Sequence, residues 1–291
     1  MLSSVEFPMN KIYSSKKHFP NQSETLHFTT PVPPSRFFSL TFLLSWLIWI
    51  PLTLSHFGIA FNIPESTSAV VRLLGVLMPA ASALLLTAIS GGKDALQRLL
   101  SRLMVWRVGW TWWSAAALVY PLLLTASALI HNCFSPSHVT PVPQGFAALL
   151  VNTILLSIAV LGEEIGWHGI ALPALQQKYS ALVSSLILGL LCGLWHLPFW
   201  LLLDTFDSFG ILYLGLNLIL VFPLIFYSTW FFNHSKYSIL LPVVFHLTFN
   251  IVNTALLPVT INLGAFGILL AFGWIIAFLI LPHLESRSLS T

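Results

Sequence analysis

Three short stretches of the chain combine groups that do chemistry. LGEEIGWHG (161–169) carries Glu163, Glu164 and His168, CGLWHLPFW (192–200) carries Cys192 and His196, and VVFHLTFNIVN (243–253) carries His246, Asn250 and Asn253. A carboxylate, imidazoles and an amide facing one wet pocket can activate a water molecule. Glu163 would be the general base, and Asn250 would donate a hydrogen bond to the developing oxyanion. The imidazoles would either bind a metal, with Glu163, His196 and His246 as ligands to Zn2+, or polarise a carbonyl without one. The HExxH helix of zinc proteases is absent, and so are GxSxG and a Walker loop.

Helical spacing sorts these groups. Adjacent glutamates point about 100° apart, so Glu163 and Glu164 serve different roles. Glu164 and His168, four apart, meet along one face. His246, Asn250 and Asn253 share a face, and Gly189, Cys192, Gly193 and His196 form a small, polar one. Gly162 and Gly166 form a GxxxG, which signals close helix packing.

The surroundings of these residues are lipid-like. Of 291 residues, 57% are hydrophobic and 7% charged, against about 25% charge in soluble domains. So few charges cannot cover a water-facing surface, which excludes a soluble enzyme, a nucleic-acid partner or a disordered chain. Long apolar runs without alternation predict an all-α, polytopic bundle of eight transmembrane helices: 37–59, 69–90, 110–131, 146–169, 181–203, 211–232, 239–257 and 260–282. Buried ionisable groups are costly in lipid, so their collection on spans four, five and seven marks a functional site.

Of the 12 Lys and Arg residues, all but Arg72 fall in alternate segments: 1–36, 91–109, 170–180, 233–238 and 283–291. That is a positive-inside pattern. It predicts a polar cytoplasmic N-terminal tail (1–36), a membrane domain (37–283) with its chemical core at about 146–257, and a cytoplasmic C-terminal tail (284–291). Segment 93–107 is amphipathic, with Arg98 and Arg102 one turn apart and Leu99, Leu103 and Trp106 on another side, and is expected to lie on the inner surface with Trp106, Trp110, Trp112 and Trp113 at the headgroup level. No apolar core precedes residue 37, so no cleavable signal peptide is expected. The spacing leaves one tension: Glu163 falls near the end of span four and His196 past the middle of span five. Direct cooperation requires span five to tilt or start deeper.

The ordered motifs resemble those of the CPBP intramembrane proteases, which include type II CAAX prenyl endopeptidases and bacteriocin-processing or immunity homologues. GEEIGWHG resembles that family's EExxxR, LCGLWHLPF its FxxxH and FHLTFN its HxxxN. The resemblance implies an intramembrane endopeptidase acting on a peptide or prenylated-protein substrate near the inner membrane surface. Glu163 would activate water with the help of His196, while His246 and Asn250 would stabilise the oxyanion. Glu164 and His168 would support them. His168 stands where the family has Arg, and Cys192 where it has Phe. The alternative is a non-catalytic membrane scaffold or immunity protein that keeps the fold. A transporter would also explain buried Glu and His, but the chain shows no inverted repeat. A compact, undecorated eight-span chain is expected in a bacterial plasma membrane.

Overall fold

A computed structural model of the chain describes residues 30–60 and 62–285. Most of the two expected tails, with Lys11, Lys16, Lys17 and Arg287, lies outside the described residues. Those described are helical, and no strand occurs among them. Helix α1 is Pro34–His56, α2 Glu65–Val76, α3 Met78–Ser101, α4 Trp110–Phe134, α5 Phe146–Gly166, α6 Leu172–Gln176, α7 Ala181–Trp195, α8 Leu197–Trp200, α9 Asp204–Phe209, α10 Ile211–His234, α11 Leu240–Asn250 and α12 Leu263–Ile280. Six continuous helical stretches are long and apolar enough to cross a membrane, and two shorter apolar stretches, Ala181–Trp195 and Leu240–Leu256, occupy the remaining two of eight spans.

Prolines set several breaks. Pro79 lies just inside α3, where the chain steps from α2 across Leu77. Pro173 follows a π-helical turn, Trp167–Ala171, that joins α5 to α6. Span four therefore runs from Phe146 to Gln176 over 31 residues, well beyond residue 169. A second π-helical turn, Ile251–Leu256, extends α11 and stops one residue short of Pro258. Span five is not one helix over 181–203. It breaks at His196, two residues before Pro198. In lipid, carbonyls around such a break need donors from neighbours. Helix α1 provides them: the Trp46 indole donates to the Trp195 carbonyl at 3.1 Å and the Thr53 hydroxyl to that of Pro198 at 3.2 Å.

Small residues bring the site helices together. A Cβ on Gly166 would lie 2.5 Å from the Pro79 side chain and 2.9 Å from its backbone carbonyl carbon, and one on Gly162 would lie 2.7 Å from Leu77. The GxxxG of α5 is thus the seat for the α2–α3 step. The amide of Val142 and the side chain of Gln144, just before α5, donate to the carbonyls of Leu256 and Ala255 at 2.8 Å. The start of α5 therefore meets the end of the span containing α11, and the two spans run antiparallel.

Gly92, at φ 62°, folds α3 between its apolar part and the amphipathic part that ends at Ser101. The helix expected over 93–107 ends at Ser101 and is followed by a 3-10 turn, Arg102–Met104. Arg102 is 5% exposed and points into the bundle. The first residues of the expected C-terminal tail are also packed. Leu284 is buried, the Asn233 side chain donates to its carbonyl at 2.8 Å, and Glu285 accepts from the Ala181 amide at 2.8 Å.

Candidate active site

The two adjacent glutamates of α5 diverge as their helical spacing requires. Glu163 accepts from the Trp167 indole N–H at 3.3 Å, and its Oε2 lies 3.7 Å from His196 Nε2. Glu164 faces two imidazoles: its Oε2 accepts from His168 Nδ1, one turn on, and its Oε1 accepts from His246 Nδ1 of α11 at 2.8 Å. Both carboxylates are nearly shut off from solvent. Spans four, five and seven thus meet through side chains that have no place in lipid.

The meeting of Glu163 and His196 depends on span length. Counted back from Gln176, Glu163 is thirteen residues deep, roughly 20 Å at 1.5 Å per residue. Counted from Ala181, His196 is fifteen residues deep, about 22 Å. The two depths match because the π-turn and α6 lengthen span four.

Hydrogen bonds set the tautomers. His196 Nδ1 lies 2.9 Å from the carbonyl oxygen of Cys192, an acceptor only, so Nδ1 carries a proton and donates. Nε2 then faces Glu163. At 3.7 Å the pair is too long for a direct hydrogen bond but leaves both atoms within reach of one water molecule. The ring is held between aromatics: it stacks on Trp200 at 5.3 Å with 12° between planes and meets the Trp195 ring edge-on at 4.6 Å. Trp167 meets Trp195 edge-on at 5.2 Å and closes the wall beside Glu163. The Cys192 thiol is 3.8 Å from His196 Nδ1, which the carbonyl already engages.

His246 also donates from Nδ1, here to a carboxylate, leaving Nε2 for another partner. The ring is partly exposed, within electrostatic reach of Glu163 and His196. Asn250 follows one turn later, partly buried, as the last residue of α11 before the π-turn. Asn253, on the same face by spacing, turns elsewhere: its amide donates to the Thr260 hydroxyl at 2.8 Å. His168 is fully buried beside Phe232, 5.8 Å between ring centres, and its Nε2 has no hydrogen-bond partner among the described residues. Such a position suits a bare nitrogen, with the proton on Nδ1.

Glu163 pairs with His196 while His246 turns Nδ1 to Glu164, and no group of three His, Cys, Asp or Glu among the described residues is arranged to hold a metal ion.

Trp167 and Trp200 are site residues that the motif spacing did not single out. Each lies four residues after a site residue, Glu163 and His196, so their places on the same helical faces were readable. Arg102, whose Nη1 donates to the Gly169 carbonyl at 3.1 Å, carried no such signal.

Residues 143–252 match the family model described as type II CAAX prenyl endopeptidase Rce1-like. The matched segment contains Glu163, Glu164, His168, His196, His246 and Asn250. The chain is also similar to CAAX prenyl protease 2 of Methanococcus maripaludis, with 25% identity over 236 residues that cover 78% of this chain and 86% of the relative. Over residues 143–252 this multi-pass membrane protein is thus similar to the type II CAAX prenyl endopeptidase Rce1-like family, a family of proteases.

Proposed function

We propose that this protein is an intramembrane endopeptidase that cuts a prenylated protein near its C-terminus, at the side of the membrane bearing the basic residues, with a water molecule activated by Glu163. One observation carries the reading: two buried carboxylates of one helix each face an imidazole of a different helix, Glu163 with His196 and Glu164 with His246. The substrate class follows from the relative's name, CAAX prenyl protease 2, and the side from the basic residues.

The mechanism follows from the hydrogen-bond directions. A water between Glu163 and His196 donates one hydrogen to the carboxylate and the other to the bare Nε2. Its lone pair is then aimed at the scissile carbonyl. Glu163 takes the proton as the C–O bond forms and passes it to the leaving amine. The oxyanion needs donors, and His246 Nε2 and the Asn250 amide are the candidates. To donate from Nε2 while Nδ1 donates to Glu164, His246 must be an imidazolium, with Glu164 as its counter-ion. Trp167 holds the Glu163 carboxylate in place, and the Trp195–Trp200 wall limits how much water enters.

The test is cleavage of a farnesylated peptide ending in a CAAX sequence by the purified protein, with and without a chelator. Release of the C-terminal tripeptide, undiminished by chelator, supports the reading. Release that stops with chelator and returns with Zn2+ overturns the metal-free step and leaves the endopeptidase. No release with prenylated or unprenylated peptide favours the scaffold alternative.

A further inference from the structure

The surface segment that follows Gly92 ends in Arg102, a cation buried in the bundle rather than exposed with its neighbours. Its guanidinium Nη1 donates to the Gly169 carbonyl at 3.1 Å. In an α-helix that carbonyl would accept from the N–H of residue 173, but residue 173 is proline and has none. The proline ring also crowds the carbonyl four residues back, which is Gly169 again. The backbone responds with the π-turn Trp167–Ala171, closed by the Leu172 amide donating to Trp167. That turn contains His168. The same Arg102 contacts the other half of the site through its backbone, whose carbonyl accepts from the Ile239 amide at 3.3 Å, one residue before α11 begins. Gly169 permits the approach: a Cβ there would lie 2.7 Å from the Leu99 side chain and 3.4 Å from that of Ile239.

We infer that Arg102 is a positioning residue: its guanidinium stands in for the backbone N–H that Pro173 lacks, fixes the π-turn that aims His168 at Glu164, and ties that turn to the start of α11, which carries His246. The inference rests on the proposed roles of Glu164 and His246 where activity is read, and on the backbone geometry alone where stability is read. Arg102 touches no reacting atom. It acts through the separation of α5 and α11, across which Glu164 and His246 make their 2.8 Å hydrogen bond. The family's motif has an arginine at the position of His168. Here the guanidinium comes from a different segment and grips the next residue's carbonyl.

The test is a double-mutant cycle in the full-length protein between Arg102→Ala and Pro173→Ala. Alanine at 173 returns an N–H to the Gly169 carbonyl, so the arginine becomes dispensable. Arg102→Ala alone is expected to lower kcat on the farnesylated peptide about ten- to a hundredfold, the range for losing a charge-assisted hydrogen bond, with KM within about twofold. The apparent unfolding temperature should fall by several degrees. In the Pro173→Ala background both losses should shrink to less than about a third, which is non-additivity between neighbours. Equal losses in the two backgrounds overturn the inference, because packing alone would not be rescued by a backbone N–H. Arg102→Lys, which keeps a donor, should retain most of the stability and kcat; a loss equal to that of Arg102→Ala also overturns it. If the wild type cleaves no peptide, the proposed function fails, while the unfolding temperatures still decide the inference.

Discussion

Replacing Glu164 with Gln keeps the shape of the residue that joins His168 to His246 and removes its charge. The carboxylate accepts from both imidazoles. A glutamine offers one oxygen and one NH2, so one of the two Nδ1–H groups then faces a donor. His168 cannot relieve this by moving its proton, since Nε2 would become a buried N–H with no partner among the described residues. His246 can: with Nδ1 bare it accepts from the amide and keeps a proton on Nε2. The enzyme then has a neutral donor at the oxyanion in place of a charged one. Hydrogen bonds to charged groups contribute about 1.5–3 kcal/mol, so losing one predicts an unfolding temperature lower by about 3–12 °C. Weakening the oxyanion donor by a similar amount predicts a ten- to hundredfold fall in kcat, roughly 1.4 kcal/mol per factor of ten. The assay is single-turnover cleavage of the farnesylated peptide beside thermal unfolding of the same preparation. A Gln variant with kcat within about twofold of wild type and an unchanged unfolding temperature would refute the role given to Glu164.

Other expectations follow from the same geometry. His168→Ala removes a fully buried hydrogen-bond partner of Glu164 and should cost about 1–3 kcal/mol of stability in thermal unfolding, the range for leaving a buried polar group unsatisfied. His168→Arg puts a permanent cation where the wild type holds a neutral imidazole, and overpacking against Phe232 should lower stability by about 1–3 kcal/mol in thermal unfolding. Gly166→Ala pushes a methyl against the Pro79 backbone and should lower the unfolding temperature by a few degrees, whereas Gly215→Ala, with no atom within 4 Å, should not. The exposed Cys133 and a cysteine introduced at exposed Lys236 should react with a membrane-impermeant thiol reagent from opposite sides, and labelling of both from one side would contradict the topology.

Period and composition made the spans readable, because lipid requires uninterrupted apolar helix and the charges mark its ends. Glu164 opposite His168 was readable too, since both sit on one helix and spacing alone fixes the face. Contacts between helices were less so. The pairing of Glu163 with His196 depends on a span that runs to Gln176, and the apolar pattern weakens after residue 169 although the helix continues. The expected span four stopped short of Pro173, and the expected span five ran through Pro198. In the folded chain the two prolines are local faults, one absorbed by a π-turn and one by donors from α1, and each lies within five residues of His168 or His196. Arg102 read as part of the basic side of a surface helix, one turn from Arg98. Its burial answers a missing N–H seventy-one positions away, which no local pattern encodes.

The central claim is that Glu163 removes a proton from the attacking water, and Glu163→Gln tests it most directly. Gln accepts the Trp167 hydrogen bond and fits the same space, so the variant should fold with an unfolding temperature close to that of wild type. Lacking a base, it should cleave the farnesylated peptide at least about a hundredfold more slowly, the lower end of the range for general base catalysis. Retention of wild-type kcat by the folded variant would contradict the account.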